Sequence, residues 1–169
     1  MAPMLAEIRT ALESFTDRDR LIMLAVAAGS VSVLVGLHYE ALRLLAGLNA
    51  KLRCLPRVFL ALIILALMAV HFVEIGMFAI IYAVVDGGSL GHIVSGSEAS
   101  FGGRSVDYFY FSATTYSTVG FGDYVPKGPL RLVVASESVC GLMLVAWSAS
   151  FTYLLMHTQW RDAFADKDD

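Results

Sequence analysis

The sequence is short of charge and of cysteine, and each shortage narrows the class of protein. Charged residues make up 16% of the 169 residues, and the net charge is −3, whereas a soluble domain carries about 25% charged residues. The two cysteines, Cys54 and Cys140, are too few for a disulfide framework and do not stand with histidines or carboxylates at metal-ligand spacing. No motif combines a nucleophile, a base and an oxyanion-binding group, so we expect no enzyme.

Apolar residues take the place of the missing charge. They form 57% of the chain, and the mean hydropathy is +0.68. Three apolar stretches reach the length of about 20 residues that a helix needs to cross a bilayer. The composition therefore predicts an all-α membrane protein with three transmembrane helices.

The most specific motif is Thr-Val-Gly-Phe-Gly-Asp at residues 118–123. A dehydrated cation needs a ring of oxygen atoms, and consecutive backbone carbonyls supply one only if alternate residues adopt conformations that side chains resist. Glycine tolerates such conformations, which suits Gly120 and Gly122. The motif predicts a carbonyl-lined cation filter to which the Thr118 hydroxyl adds one more oxygen.

The other residues of the motif have predicted positions around this filter. Val119 and Phe121 are expected to point away from the ion path and to wedge the backbone from behind. Asp123 is expected at the outer mouth, where a ring of carboxylates concentrates cations. The alternative for Asp123 is an ordinary solvated turn residue.

Residues 107–141 resemble the pore module of the tetrameric potassium channel superfamily, in particular small prokaryotic channels with two membrane helices per pore. The resemblance is carried by 107–112 (Asp-Tyr-Phe-Tyr-Phe-Ser), Thr115, the filter, Pro126, Arg131, Glu137 and Gly141. Phe121 departs from the pattern, because Tyr is commonest there; Phe is compatible with potassium selectivity but lacks a bracing hydroxyl. Carbonyl rings of this kind are the established selectivity device of potassium channels.

The resemblance and the apolar stretches together predict an arrangement for the whole chain. A re-entrant pore helix and the filter loop lie between the second and third membrane helices, and 56–157 form the pore domain. The predicted segments are a surface or amphipathic segment (1–16), an extra transmembrane helix (17–48), an outer helix (57–85), a turret (87–104), a pore helix (106–116), the filter (118–123), an inner helix (130–157) and an acidic cytoplasmic tail (158–169).

Each chain has a single filter, and a ring around one ion needs four, so the expected assembly is a homotetramer. The expected ligands are K⁺ ions in the filter, without an organic cofactor. We expect membrane lipid around the protein and no bound nucleic acid. Whether a separate regulatory protein is a partner stays open. The residues expected to support the filter are Tyr110, Phe111, Thr114, Thr115 and Ser117.

The direction of the filter predicts the topology. In the resembled family its Thr end faces the inner cavity and its Gly-Asp end faces outside, which places the N-terminus outside and the C-terminus in the cytoplasm. The connector near residues 43–57 then lies inside, and its Arg and Lys residues agree with the positive-inside rule. We expect a multi-pass protein of the plasma (inner) membrane.

Three ionisable residues stand at membrane depth: His71, Glu74 and Glu137. Such residues are candidates for function by default. The set is either a structural hydrogen-bond network behind the filter or a proton-sensitive gate. Gly141, midway along the inner helix, is either a gating hinge or a close-packing contact.

These observations predict passive, potassium-selective conduction through four such filters. Two alternatives stay open: a weakly selective cation channel, and a membrane protein with the shape of a pore that acts as a sensor or assembly partner without conducting.

Overall fold

A computed structural model describes residues 18–49, 56–95 and 102–165, and this part of the chain is mostly helical. Its elements are α1 (Arg18–Asn49), α2 (Pro56–Val85), β1 (His92–Ser95), α3 (Ser105–Tyr116), β2 (Tyr124–Lys127), a 3₁₀ turn (Gly128–Leu130) and α4 (Arg131–Ala165). Stretches of α1, α2 and α4 are long and apolar enough to cross a membrane. The predicted all-α membrane fold is confirmed; a small two-stranded sheet is an addition to it.

Helix α1 shows how a membrane helix is held by a narrow contact. It buries Met23, Ala27, Leu34, His38 and Leu42, a stripe whose spacings of four and seven residues follow one side of a helix. Its other faces carry mainly exposed apolar side chains, as a lipid-facing surface requires, and an exposed Glu40–Arg43 ion pair near the C-terminal end. The helix packs chiefly against α4, and its Leu42 packs with Phe59 and Ile63 of α2.

The short helix α3 begins one residue earlier than predicted. Arg104, not Ser105, is the N-cap residue, and its backbone N–H donates to the Asp107 carboxylate over 3.1 Å. This hydrogen bond holds the pKa of Asp107 below its ordinary range. The carboxylate lies in the first turn, where the helix dipole also favours negative charge.

Strand β1 precedes α3 in the sequence, and strand β2 follows residues 118–123. The two strands pair antiparallel, with His92 opposite Lys127 and Ser95 opposite Tyr124. Asp86 connects the sheet to α3, because its carboxylate accepts from the backbone N–H of Ile93 and from the hydroxyl of Tyr108, each at 2.8 Å. The turret was predicted as a plain loop. The two strands are about thirty residues apart in the sequence, so no local pattern indicates that they pair.

Helix α4 continues to Ala165, beyond the predicted boundary between the inner helix and the tail at residue 157. No glycine or proline interrupts residues 158–165, so nothing local ends the helix. The segment 1–16, the start of the 17–48 helix at residue 17, residues 96–101 of the turret and 166–169 of the tail lie outside the described residues.

Candidate functional site

The backbone of the predicted filter alternates in conformation from Thr118 to Gly122. The φ angles of Thr118, Gly120 and Gly122 are +61°, +49° and +80°, which places every second residue in the left-handed region. Among the described residues Thr118 is the sole non-glycine with positive φ, a conformation that is uncommon outside glycine. The alternation is the backbone requirement on which the predicted carbonyl-lined filter depends.

The end of α3 supports this backbone through main-chain hydrogen bonds. The Gly120 N–H donates to the Thr114 carbonyl over 3.1 Å, and the Thr118 N–H donates to the Thr115 carbonyl over 2.9 Å. The Ser117 hydroxyl donates to the Ala113 carbonyl over 2.7 Å. The two threonines therefore contact the filter through their backbone.

The two predicted aromatic supports, Tyr110 and Phe111, have different neighbours. The Tyr110 ring lies 5.9 Å from the Tyr124 ring, edge to face, and a hydrogen bond to the Asp123 carboxylate raises the pKa of the Tyr110 hydroxyl. Tyr110 thus lies beside Asp123. The buried Phe111 ring packs edge-on against Tyr82 at 5.1 Å, which braces α3 against α2.

The apolar side chains of the filter are uncovered in the single chain. Val119 is 54% exposed and Phe121 is 70% exposed. Backbone without helical or sheet hydrogen bonds does not face lipid, since its polar groups have no partner there. This surface therefore requires cover from other protein.

Gly141 contacts the end of α3 directly. A Cβ atom built on Gly141 would overlap the Tyr116 carbonyl oxygen and come within 2.9 Å of the Tyr116 ring carbon Cγ. Its helical φ is one that any residue adopts, so the requirement for glycine is one of space. The geometry supports the close-packing role, and the hinge stays a prediction.

A first buried polar cluster, which we call the imidazole cluster, joins four helices. Glu74 accepts from the Tyr116 hydroxyl at 2.5 Å and lies 2.9 Å from His38 Nδ1 and 3.1 Å from His71 Nδ1. The Ser148 Oγ lies 3.1 Å from His71 Nε2 and 3.2 Å from His38 Nε2. His38 and Glu74 are completely buried.

A second buried cluster, the hydroxyl cluster, surrounds Glu137. Its carboxyl group contacts the Tyr82 hydroxyl and lies 2.5 Å from the Ser112 Oγ. The Ser112 hydroxyl also lies 2.8 Å from the Ile75 carbonyl. The Ser112 hydroxyl has one proton and can donate to only one of these two groups. Both contacts are hydrogen bonds when Glu137 is protonated and donates to the Ser112 oxygen while Ser112 donates to the Ile75 carbonyl.

The structure divides the predicted set of ionisable residues. His71 and Glu74 belong to the imidazole cluster, whereas Glu137 has separate partners. Sequence reasoning missed His38, which it placed with the polar residues near the end of the first helix. The available signal was its place in the buried stripe of α1, four residues after Leu34 and four before Leu42.

Comparisons with known proteins identify the family of the chain. The profile of a family described as an ion channel matches residues 70–156, a little over half of the chain. The chain therefore belongs to this ion channel family, not to an enzyme family, and is a multi-pass membrane protein.

A segment of 52 residues is 40% identical to the inward rectifier potassium channel Kirbac3.1 of Paramagnetospirillum magnetotacticum. The match covers 30% of this chain and 18% of that protein, so the chain spans a small part of its relative's length. No solved structure gives a significant match.

Proposed function

We propose that the protein is a potassium-selective channel that conducts K⁺ passively through four filters. The alternating backbone from Thr118 to Gly122 carries the proposal, because it meets the requirement for stacked carbonyl rings. Membership of an ion channel family and partial similarity to a potassium channel support it. Thr118, Val119, Gly120, Phe121 and Gly122 form the filter, and Asp123 stands at its mouth.

A homotetramer follows from the same argument. One chain supplies one side of a filter, and the exposed Val119 and Phe121 side chains need protein cover. Neighbouring copies of the chain supply both the remaining carbonyls and this cover. Mass measurement in detergent should give four chains, and a dimer would contradict the assembly.

In the proposed membrane topology, the N-terminus lies outside and the C-terminus lies in the cytoplasm. The support is the direction of the filter in the resembled family and the basic connector after α1. A short tag placed before Met1 should react with an impermeant reagent in intact cells. Labelling that requires lysis would reverse the orientation.

Selectivity is tested in bilayers with opposed potassium and sodium gradients. The reversal potential should lie close to the potassium equilibrium potential, and equal permeabilities would identify a weakly selective pore instead. Absence of current from a correctly assembled tetramer would favour the non-conducting alternative.

A matched pair of glycine variants connects this measurement to the filter backbone. Gly120→Ala should abolish selective conduction, because its φ of +49° disfavours a side chain. Gly29→Ala in α1, with no atom within 4 Å of the added methyl, should conduct as the parent does. Selective current from the Gly120→Ala channel would contradict the filter assignment.

A further inference from the structure

The two rings of the imidazole cluster are oriented alike. Each Nδ1 faces the Glu74 carboxylate, His38 toward Oε1 at 2.9 Å and His71 toward Oε2 at 3.1 Å. Each Nε2 faces the Ser148 Oγ, at 3.2 and 3.1 Å respectively. Two parallel routes therefore run from one carboxylate to one hydroxyl oxygen.

When both rings are neutral, the cluster has fewer protons than polar contacts. The cluster contains six polar contacts, because His71 Nδ1 also lies 2.9 Å from the Tyr116 hydroxyl. A neutral imidazole carries one proton and each hydroxyl carries one. With Glu74 ionised, four protons are available for six contacts, and an uncompensated carboxylate remains at membrane depth.

A divalent cation between the two Nδ1 atoms and the carboxylate would replace the two ring-to-carboxylate contacts. The contact of His71 Nδ1 with the Tyr116 hydroxyl would give way to the metal bond. Each ring then carries its proton on Nε2 and donates it to the Ser148 Oγ, whose two lone pairs accept both. Histidines that bind metals usually donate their second N–H to an outer acceptor in this way. The Tyr116 hydroxyl continues to donate to Glu74. The cation also neutralises the carboxylate charge.

We propose that His38, His71 and Glu74 bind a divalent transition-metal ion, for which Zn²⁺ is the best fit. One ligand atom from each residue lies within 4.8 Å of the others. A tetrahedral zinc site with bonds of about 2.0–2.2 Å brings its ligand atoms to about 3.4 Å, so small side-chain rotations suffice. Two imidazoles select zinc over Mg²⁺ or K⁺, which prefer oxygen ligands.

The bound ion would fasten α1 to the pore module. His38 comes from α1, whereas His71 and Glu74 come from α2 and the outer acceptor Ser148 comes from α4. His71 is partly exposed, with 17% of its side chain accessible in the single chain. This inference does not depend on which ion the pore conducts.

The test uses the full chain in detergent, purified without a histidine tag and stripped with EDTA. Titration with ZnCl₂ followed by desalting should retain about one Zn²⁺ per chain, and the unfolding temperature should rise with zinc because the metal binds the folded state. The wild-type chain loaded with Co²⁺ should show the intense visible bands of tetrahedral coordination.

The variants separate a metal site from a hydrogen-bond network. Glu74→Gln and His38→Gln should lower zinc affinity by more than about a hundredfold, and Ser148→Ala by about 10–100-fold. Glutamine at 74 keeps the fold, because its amide donates to the His38 ring while its oxygen still accepts. His92→Gln and His157→Gln, which change exposed histidines, are the matched controls.

Two results would overturn the proposal, and neither depends on a variant that fails to fold. Wild-type protein that retains no Zn²⁺, or that gives the weak spectrum of octahedral Co²⁺, has no such site. Zinc binding that stays unchanged in Glu74→Gln and His38→Gln would place the ion elsewhere.

Discussion

Glu74 and Glu137 are both completely buried in membrane helices, but their partners differ in kind. Glu74 faces two imidazole rings and a tyrosine hydroxyl, all of which can supply it with protons or positive charge. Glu137 faces the hydroxyls of Tyr82 and Ser112. Glu74 therefore lies among imidazole rings, whereas Glu137 lies among hydroxyl groups.

The two clusters also join different sets of helices. The hydroxyl cluster joins α2, α3 and α4, and its members lie within the matched range 70–156. The imidazole cluster joins the same three helices and extends to α1 through His38, which lies outside that range. Besides its apolar contacts, the first helix thus adds one ring to a polar group of the other three helices.

The largest expected effect comes from replacing each glutamate by leucine, which removes the acceptor and keeps a similar volume. Glu74→Leu removes the carboxylate that both imidazole rings face, and leaves the Tyr116 hydroxyl with His71 Nδ1 as its acceptor. Because a buried charged group is lost from among its partners, the change should cost about 3–5 kcal/mol of stability. Glu137→Leu leaves only the Tyr82 hydroxyl without an acceptor, because Ser112 can still donate to the Ile75 carbonyl. This change should cost about 1–3 kcal/mol of stability. Equilibrium unfolding in mixed SDS micelles measures both.

Equal losses in the two leucine variants would remove the distinction between the clusters. A larger loss for Glu137→Leu would reverse it and would place the ionised carboxylate at residue 137.

The next effect concerns the position of Tyr116, whose hydroxyl serves Glu74. Gly141→Ala should displace the Tyr116 backbone, since the added methyl overlaps it, and should cost about 1–3 kcal/mol. Gly36→Ala in α1 meets no atom within 4 Å and should be neutral or stabilising by up to about 1 kcal/mol. Altered gating of Gly141→Ala at unchanged stability would favour the hinge.

The smallest effect is the difference between two tyrosine hydroxyls. Tyr116→Phe removes a donor to a charged carboxylate and should cost about 1.5–3 kcal/mol, whereas Tyr82→Phe removes a bond to a neutral acid and should cost about 0.5–1.5 kcal/mol. The same unfolding assay compares the two variants, both of which keep the buried ring. A loss as large for Tyr82→Phe would show that Glu137 is ionised.

Much of this protein is determined by the sequence alone, because the relevant physics is local. Apolar length predicts the three membrane helices, and the glycine spacing at Gly120 and Gly122 anticipates the alternating backbone found there. Both follow from what a few adjacent residues can do, whatever surrounds them.

Other features were decided only by the tertiary structure. The pairing of β1 with β2, the attachment of His38 to Glu74 and the separation of Glu74 from Glu137 all join residues that are distant along the chain. Each depends on which faces of the helices meet, and an apolar helix with few polar residues has little pattern to indicate its buried face. Packing selects that face because a buried polar side chain is stable only where another helix brings its partner.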